Sequence, residues 1–222
     1  MRIIMRLAGV LLIAAAVVLF FWQDIREHFT DRVNDRVIEA FQNGDEEVDV
    51  NSVESFITGI EPDTSANTEA AEEADDNLDT RGINISDDMA GVLNIDSADI
   101  SEPLYYGPVT EAKMRNGISF VHEDDHLDMQ NIPISGHRVE GAGIRFNYLD
   151  RAEIGDTIEL VTREDVREYE ITDIFNVDPS QVEVMDQNGD IPQELTLITC
   201  DSYNPDTLLF EERMIVKAKI IE

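Results

Sequence analysis

Leu195-Thr196-Leu197-Ile198-Thr199-Cys200 is an apolar, β-branched run that ends on the only cysteine of the chain. Ile and Thr favour extended backbone, so Leu195 to Thr199 reads as a short buried strand. The polar residues Asp201-Ser202-Tyr203-Asn204-Pro205-Asp206 follow and predict a turn directly after the cysteine. The sulfur is therefore expected where a strand leaves the core and meets solvent. A lone buried thiol is ordinarily an inert apolar group. A thiolate at an exposed strand end can instead attack a carbonyl carbon at neutral pH.

The chain has 222 residues, which suits one domain plus appendages. Sixteen basic residues against 48 acidic ones give a formal net charge of -32. That excludes a general nucleic-acid binder, because nothing would replace the counterions on a phosphate backbone. The acidity has two readings. One is a surface adapted to high salt, where repulsion is screened. The other is a linker and loops that repel and stay soluble. A single cysteine permits no internal disulfide, so stability must come from a core or a bound ion.

Arg2 and Arg6 precede an uninterrupted apolar run from Leu7 to Trp22. The run closes on Phe20-Phe21-Trp22, bulky interface-type residues rather than the small residues of a cleavage site. It reads as an uncleaved single-pass anchor, and the positive-inside rule leaves residues 1–6 in the cytoplasm and the remainder outside the cell. Gln23 to Phe41 continues as a helix with a narrow apolar stripe at Ile25, Phe29, Val33, Val37 and Phe41. The stripe has three readings: lying on the membrane, pairing with another helix, or simply extending the anchor. Asn51-Ser52-Val53-Glu54 has capping-box spacing and predicts a short helix through Ile60. Glu61 to Thr80 is acidic and alanine-rich and reads as an extended linker.

From about Ile83 the texture changes to short apolar runs broken by turn signals. Strands are predicted at 91–95, 100–104, 117–121, 131–135, 157–162, 166–174, 195–199 and 214–220, with one short helix at 110–116. Many short strands with turns imply an all-β domain, a closed or nearly closed barrel over residues 83–222. The expected organisation is thus 1–6 cytoplasmic, 7–22 anchor, 23–82 extracellular helix and linker, and 83–222 catalytic domain.

A cysteine nucleophile needs a proton carrier and an electropositive group for the oxyanion. His28 lies in the juxtamembrane helix, and His122 and His126 lie in an acidic loop. His137 leaves the apolar strand Ile132-Pro133-Ile134-Ser135 after a glycine, as Cys200 leaves its own strand. Arg213 opens the last strand. If that strand pairs antiparallel with the cysteine strand, Arg213 returns to the neighbourhood of the sulfur. A guanidinium is not a base in proteins, so its role would be to hold a carbonyl and neutralise developing charge.

From about Gly91 to Ile220 the chain resembles the sortases, cysteine transpeptidases of Gram-positive cell surfaces, and is most like their class A. The resemblance is carried by Gly91-Val92-Leu93, Glu102-Pro103, Gly107-Pro108, Gly117-Ile118-Ser119-Phe120, Asn131 to His137, Leu195 to Asn204, and Glu212-Arg213. It implies a closed eight-stranded sortase-type β-barrel with short helices behind an N-terminal transmembrane helix. It implies Cys200 as nucleophile, His137 as catalytic histidine and Arg213 as essential arginine. The implied substrates are LPXTG-type surface proteins, cut between Thr and Gly. The implied acceptor is the amine of lipid II or another peptidoglycan precursor. Ser135, Val182, Val184, Met185 and Thr199 are the expected substrate-binding residues, and the enzyme is expected to be a monomer or weak dimer. Rival readings are a sortase of another class, such as a pilin polymerase, and a non-catalytic binder of sorting signals.

No cofactor is expected. Some class A relatives bind calcium between the acidic loop and the loop before the cysteine strand. Here His122, Met129 and Gln187 stand at positions where that pattern has acids, leaving Asp124, Asp125, Asp128 and Asp186 as a weaker set. His122 with His126 would be the corresponding transition-metal pair.

Overall fold

The computed structural model describes residues 2–60, 80–85, 88–138, 144–187, 189 and 192–221. The acidic linker expected at 61–80 lies outside them except for its last residue.

Helix α1 (Arg2–Phe20) is followed after a bend at Phe21 by α2 (Trp22–Asn43). Leu7, Val10, Leu11, Leu12, Ile13, Leu19 and Phe20 of α1 are all exposed. No single helix among the described residues is long and apolar enough to cross a membrane. The pair Met5–Phe20 and Trp22–Asn43, bent by 59°, meets that test by length and composition.

Gly44 closes α2 in the left-handed region at φ 81, where a side chain would be strained. Strand β1 (Glu47–Asn51) follows, then α3 (Ser52–Thr58). Asn51 caps α3 by accepting from the Val53 and Glu54 amides, while Glu54 accepts from the Asn51 amide, completing the expected capping box. Strand β2 (Thr80–Asn84) pairs antiparallel with β1. This ribbon is absent from the sequence reading, although Glu47-Val48-Asp49-Val50 alternates acid and valine and buries only the valines.

The C-terminal half of the α2 stripe is docked on the rest of the fold, and α2 also packs beside the short helix α3. Val33, Val37, Ala40 and Phe41 pack with Val48, Val50 and Ile83 of the ribbon and with Met89, Val92 and Tyr105 of the barrel. Each fully buried Val or Phe contributes about 1.5–3 kcal/mol relative to exposure, so α2 is docked rather than a free stalk.

The barrel strands are β3 (Met89–Ile95), β4 (Ile100–Tyr105), β5 (Ile118–Phe120), β6 (Asn131–Ser135), β7 (Thr157–Val161), β8 (Val166–Val177), β9 (Glu194–Asn204) and β10 (Leu209–Ile220). They close in the order β10-β8-β7-β3-β4-β5-β6-β9, with β9 returning to β10. All pairs are antiparallel except β4 with β5 and β6 with β9. The short helix α4 (Glu111–Asn116), capped by Thr110, supplies the crossover between β4 and β5. Alternation fills the interior: Ile158 and Leu160 of β7, Ile132 and Ile134 of β6, Leu195 and Leu197 of β9, and Val216 and Ala218 of β10 share one core with Phe120, Phe146 and Tyr169. Burial holds the Tyr169 phenol up at about 12, and its hydroxyl donates to Gln193.

The turn predicted at 201–206 is corrected. Strand β9 runs on through Asn204, and the chain reverses only at 205–208. Pairing with β10 overrides the polar composition, with Tyr203 and Phe210 opposed and their rings 5.3 Å apart.

Candidate active site

The site forms on the outer face of the barrel, where β6, β9 and β10 run side by side. Leu195 and Leu197 point into the core, so period-two alternation turns Thr196, Ile198 and Cys200 outward. Cys200 is a free, half-buried thiol two-thirds of the way along β9, with β strand on both sides of it.

Arg213 is the register partner of Cys200 on β10. Directly opposed residues of an antiparallel pair share a face with Cβ atoms about 4.5–5.5 Å apart, so the guanidinium and the sulfur occupy one surface. Arg213 donates to the Glu212 carbonyl at 2.9 Å and forms no ion pair among the described residues. Its acidic neighbours are committed elsewhere. Glu211 accepts from Asn204, and Glu212 accepts from Asn176 and from Ser202. Those two hydrogen bonds hold the Glu212 carboxyl below its usual range.

His137 arrives from the other side. Strand β6 lies parallel to β9 with Ser135 opposite Ile198, and the Gly136 amide continues the ladder to the Ile198 carbonyl at 3.1 Å. Carried two residues on, this register sets His137 level with Cys200, one strand spacing of about 4.8 Å away. Gly136 is required by close approach. A Cβ there would meet the buried Phe146 ring at 2.4 Å. Thr199, buried and facing inward, donates its hydroxyl to the Gly136 carbonyl at 2.9 Å and so ties the histidine strand to the cysteine strand. The His137 Nε2 lies 3.5 Å from the Glu111 carboxylate at the start of α4. Sequence reasoning missed Glu111; its signal was an acid in the first turn after the cap Thr110.

Also missed was the pair formed by the next residue of each strand. Arg138 donates to Asp201 at 2.8 Å and to Asp150 at 3.0 Å, and Asn176 donates to Asp201 at 2.8 Å. The segment that follows β6 is thereby bridged to β9 by charge as well as by backbone.

Ser135 sits on the outer face beside Ile198. Val182, Val184 and Met185 form a 3-10 turn, Val182 exposed and the other two half-buried. That turn is held over the sheet by its carbonyls: Val184 accepts from Asn131 at 3.1 Å and from Lys217 at 2.6 Å. Thr199 is not brought to the outer face with them.

The acids considered for a cation do not converge: among the described residues no three His, Cys, Asp or Glu side chains are grouped for a metal. Asp125 accepts from the His122 amide and ring, Arg167 lies 3.7 Å from Asp128, and Gln187 exchanges hydrogen bonds with the Asn131 backbone.

A thiol flanked by an imidazole and a guanidinium on one sheet face has the parts needed for acyl transfer: nucleophile, proton carrier and oxyanion partner. Residues 93–221 match the family model described as a sortase domain. Sortase A of Staphylococcus aureus is 32% identical over 217 residues, spanning 97% of this chain and 95% of that protein. Sortase A of Streptococcus agalactiae is 29% identical, spanning 95% and 82% respectively. Among solved structures, Listeria monocytogenes sortase A shares the fold with a TM-score of 0.54 at 23% identity, over 61% of this chain and 89% of that one. A Clostridium perfringens sortase transpeptidase of another class does so at 0.56 and 24%, over 86% and 99%. The fold is thus common to several classes, while the sequence likeness points to class A. The chain belongs to the sortase family of cysteine transpeptidases.

Proposed function

We propose that this is a membrane-anchored class A-type sortase that cuts an LPXTG-type sorting signal between Thr and Gly and joins the new Thr carbonyl to a peptidoglycan-precursor amine. The observation that carries the assignment is the register around Cys200, with Arg213 opposite it on β10 and His137 level with it beyond β6.

The Cys200 thiolate attacks the Thr carbonyl, and the developing oxyanion is stabilised by the Arg213 guanidinium. The C–N bond breaks as the His137 imidazolium gives its proton to the departing glycine amine, leaving a thioester on Cys200. The incoming amine gives a proton to His137 as it attacks the thioester, and the thiolate leaves. Glu111 orients and supports the imidazolium.

The place of the 3-10 turn supports the direction in which the signal lies. Its carbonyl anchor Lys217 is opposite Thr196, four residues before Cys200, which is about 13 Å along a strand. An extended Leu-Pro-X-Thr segment with its Thr carbonyl at the sulfur would carry Pro about 7 Å and Leu about 10 Å away, toward Val182, Val184 and Met185. Ser135 and Ile198 lie between. Thr199 acts in this scheme by holding Gly136 and His137 in register, not by lining the groove. The exposed apolar surface of α1 supports anchoring in the cell membrane, with the catalytic domain outside. Lipid II is the acceptor that this placement favours.

The assignment is tested with the full chain in non-ionic detergent, a fluorogenic LPXTG-type peptide and an amine. Cleavage at Thr-Gly and a Thr-amine product identified by mass are expected. Binding of the peptide with neither cleavage nor transfer would instead support a silent binding domain.

The Arg138–Asp201 bridge gives a separate expectation. Arg138→Ala lowers kcat about 10-fold through misplacement of His137 against Cys200. It changes stability by less than about 1 kcal/mol, as the pair is partly solvated. The double exchange Arg138→Asp with Asp201→Arg recovers part of kcat. Unchanged kcat in Arg138→Ala would show that the bridge does not position the site.

A further inference from the structure

Behind His137, away from the sheet, lies a cavity of about 290 Å³. His137 and Glu111 line one side. Arg26 of α2, Arg115 of α4 and Arg145 line it as well, with the apolar Met114 and Ile144 among them. Three arginines around one small cavity are an outlier in a chain of net charge -32.

The charges do not simply cancel. Arg115 pairs with Glu111 at 3.2 Å, and Arg145 pairs with Glu102 at 2.5 Å. Arg26 donates only to the Thr58 carbonyl, at 3.3 and 3.4 Å, and forms no ion pair among the described residues. Counting Glu102 with the lining groups, the arginines exceed the carboxylates by one, before any proton on His137. Arg145 is 3% exposed, and its Nε has no hydrogen-bond partner among the described residues. It is also held in the left-handed region at φ 58, a strained backbone for a residue with a side chain. The terminal nitrogens of Arg145 are committed to Glu102, Asn34 and the Arg115 carbonyl, so it supplies positive potential behind the cavity. Arg26, held only by two long bonds to one carbonyl, is the guanidinium whose fork can meet an anion with several oxygens.

The position of Arg26 indicates which substrate brings the anion. It lies four residues after Trp22, about 6 Å along α2 from the bend at which α1 ends. The cavity therefore lies between His137 and the membrane-proximal end of the helix. The Leu-Pro part of the sorting signal runs the other way, toward Val184 and Lys217.

We infer that this cavity is the acceptor subsite: it seats a phosphate or carboxylate carried by the amine substrate, while the amine reaches the Cys200 thioester past His137. This rests on the transpeptidase reading above and adds the acceptor's chemical class to it.

The test uses the full chain in non-ionic detergent and two matched pairs of acceptors. Triglycine is compared with triglycine amide, and aminohexyl phosphate with aminohexanol. The wild type is expected to favour the anionic member of at least one pair by about 10-fold in kcat/KM, and the pair that responds identifies carboxylate or phosphate. Arg26→Gln is expected to bring that ratio within about 2-fold of one, and Arg26→Lys to retain part of it. Equal use of both members of both pairs by the wild type overturns the subsite, as does an undiminished preference in Arg26→Gln. Peptide cleavage without any acceptor is recorded first, so a failed transpeptidase reading is seen separately. In that case titration with inorganic phosphate, followed by the arginine side-chain NMR signals, decides the subsite. Saturable shifts lost in Arg26→Gln uphold an anion site, and their absence overturns it.

Discussion

Cys200→Ala is expected to lower cleavage of an LPXTG-type peptide by about 10⁴-fold or more, with the barrel intact. Removing the nucleophile of a covalent mechanism has effects of this order or larger, because the steps around it cannot proceed without it. No neighbouring group substitutes. Thr199 faces the interior with its hydroxyl committed to Gly136, and the Ser202 hydroxyl is bound to Glu212. The half-buried sulfur contributes little packing, so the melting temperature should move by only a degree or two. Initial rates and a thermal melt on the same sample check both halves. A variant that retains even one-tenth of the wild-type rate would place the nucleophile elsewhere.

Glu102→Ala is expected to destabilise the fold by about 3–5 kcal/mol. Glu102 is 3% exposed on β4. It accepts from the Arg145 amide and guanidinium, each at 2.5 Å, and from Asn34 of α2 at 3.0 Å. Removing the carboxylate leaves a buried guanidinium uncompensated and releases the polar tie between α2 and the barrel. Replacing the whole network by apolar groups would cost far less, because the penalty comes from the orphaned charge rather than the lost bond. For a chain of this size the melting temperature should fall by roughly 6–20 °C. Urea unfolding measures the change, and a loss below about 1 kcal/mol would mean that Arg145 finds water or another partner.

Much of this architecture can be read from the residues. Strand Asn131–Ser135 has the bounds its pattern predicts, because Ile132 and Ile134 alternate cleanly into the core. The return of Arg213 to Cys200 follows from two apolar strands joined by a short polar connection. Other features depend on partners that lie far away in the chain. Asp201 to Asn204 look like a turn by composition and become strand because β10 offers a pairing edge. The α2 stripe is narrow enough for a membrane surface or another helix, and only the exposed face of the β1–β2 ribbon and the barrel decides where it docks. Within the site, Cys200, His137 and Arg213 stand out by residue type and strand position. Glu111, Arg138 and Arg26 do not, since each acts through a neighbour 26 or more residues away in the chain. Thr199 shows the limit of reasoning from adjacency: next to Cys200 in sequence, it lies on the opposite face of the strand.

In the proposed mechanism Cys200 carries the acyl group between the two substrates. This role is tested most directly by intact-protein mass spectrometry of the full chain mixed with an LPXTG-type peptide and quenched in acid before an amine is added. The expected result is a new species heavier by the peptide through its Thr, lost on adding hydroxylamine or an acceptor amine, mapped to Cys200 and absent in Cys200→Ala. Turnover of the peptide with no such adduct, or an adduct that persists in Cys200→Ala, would contradict it.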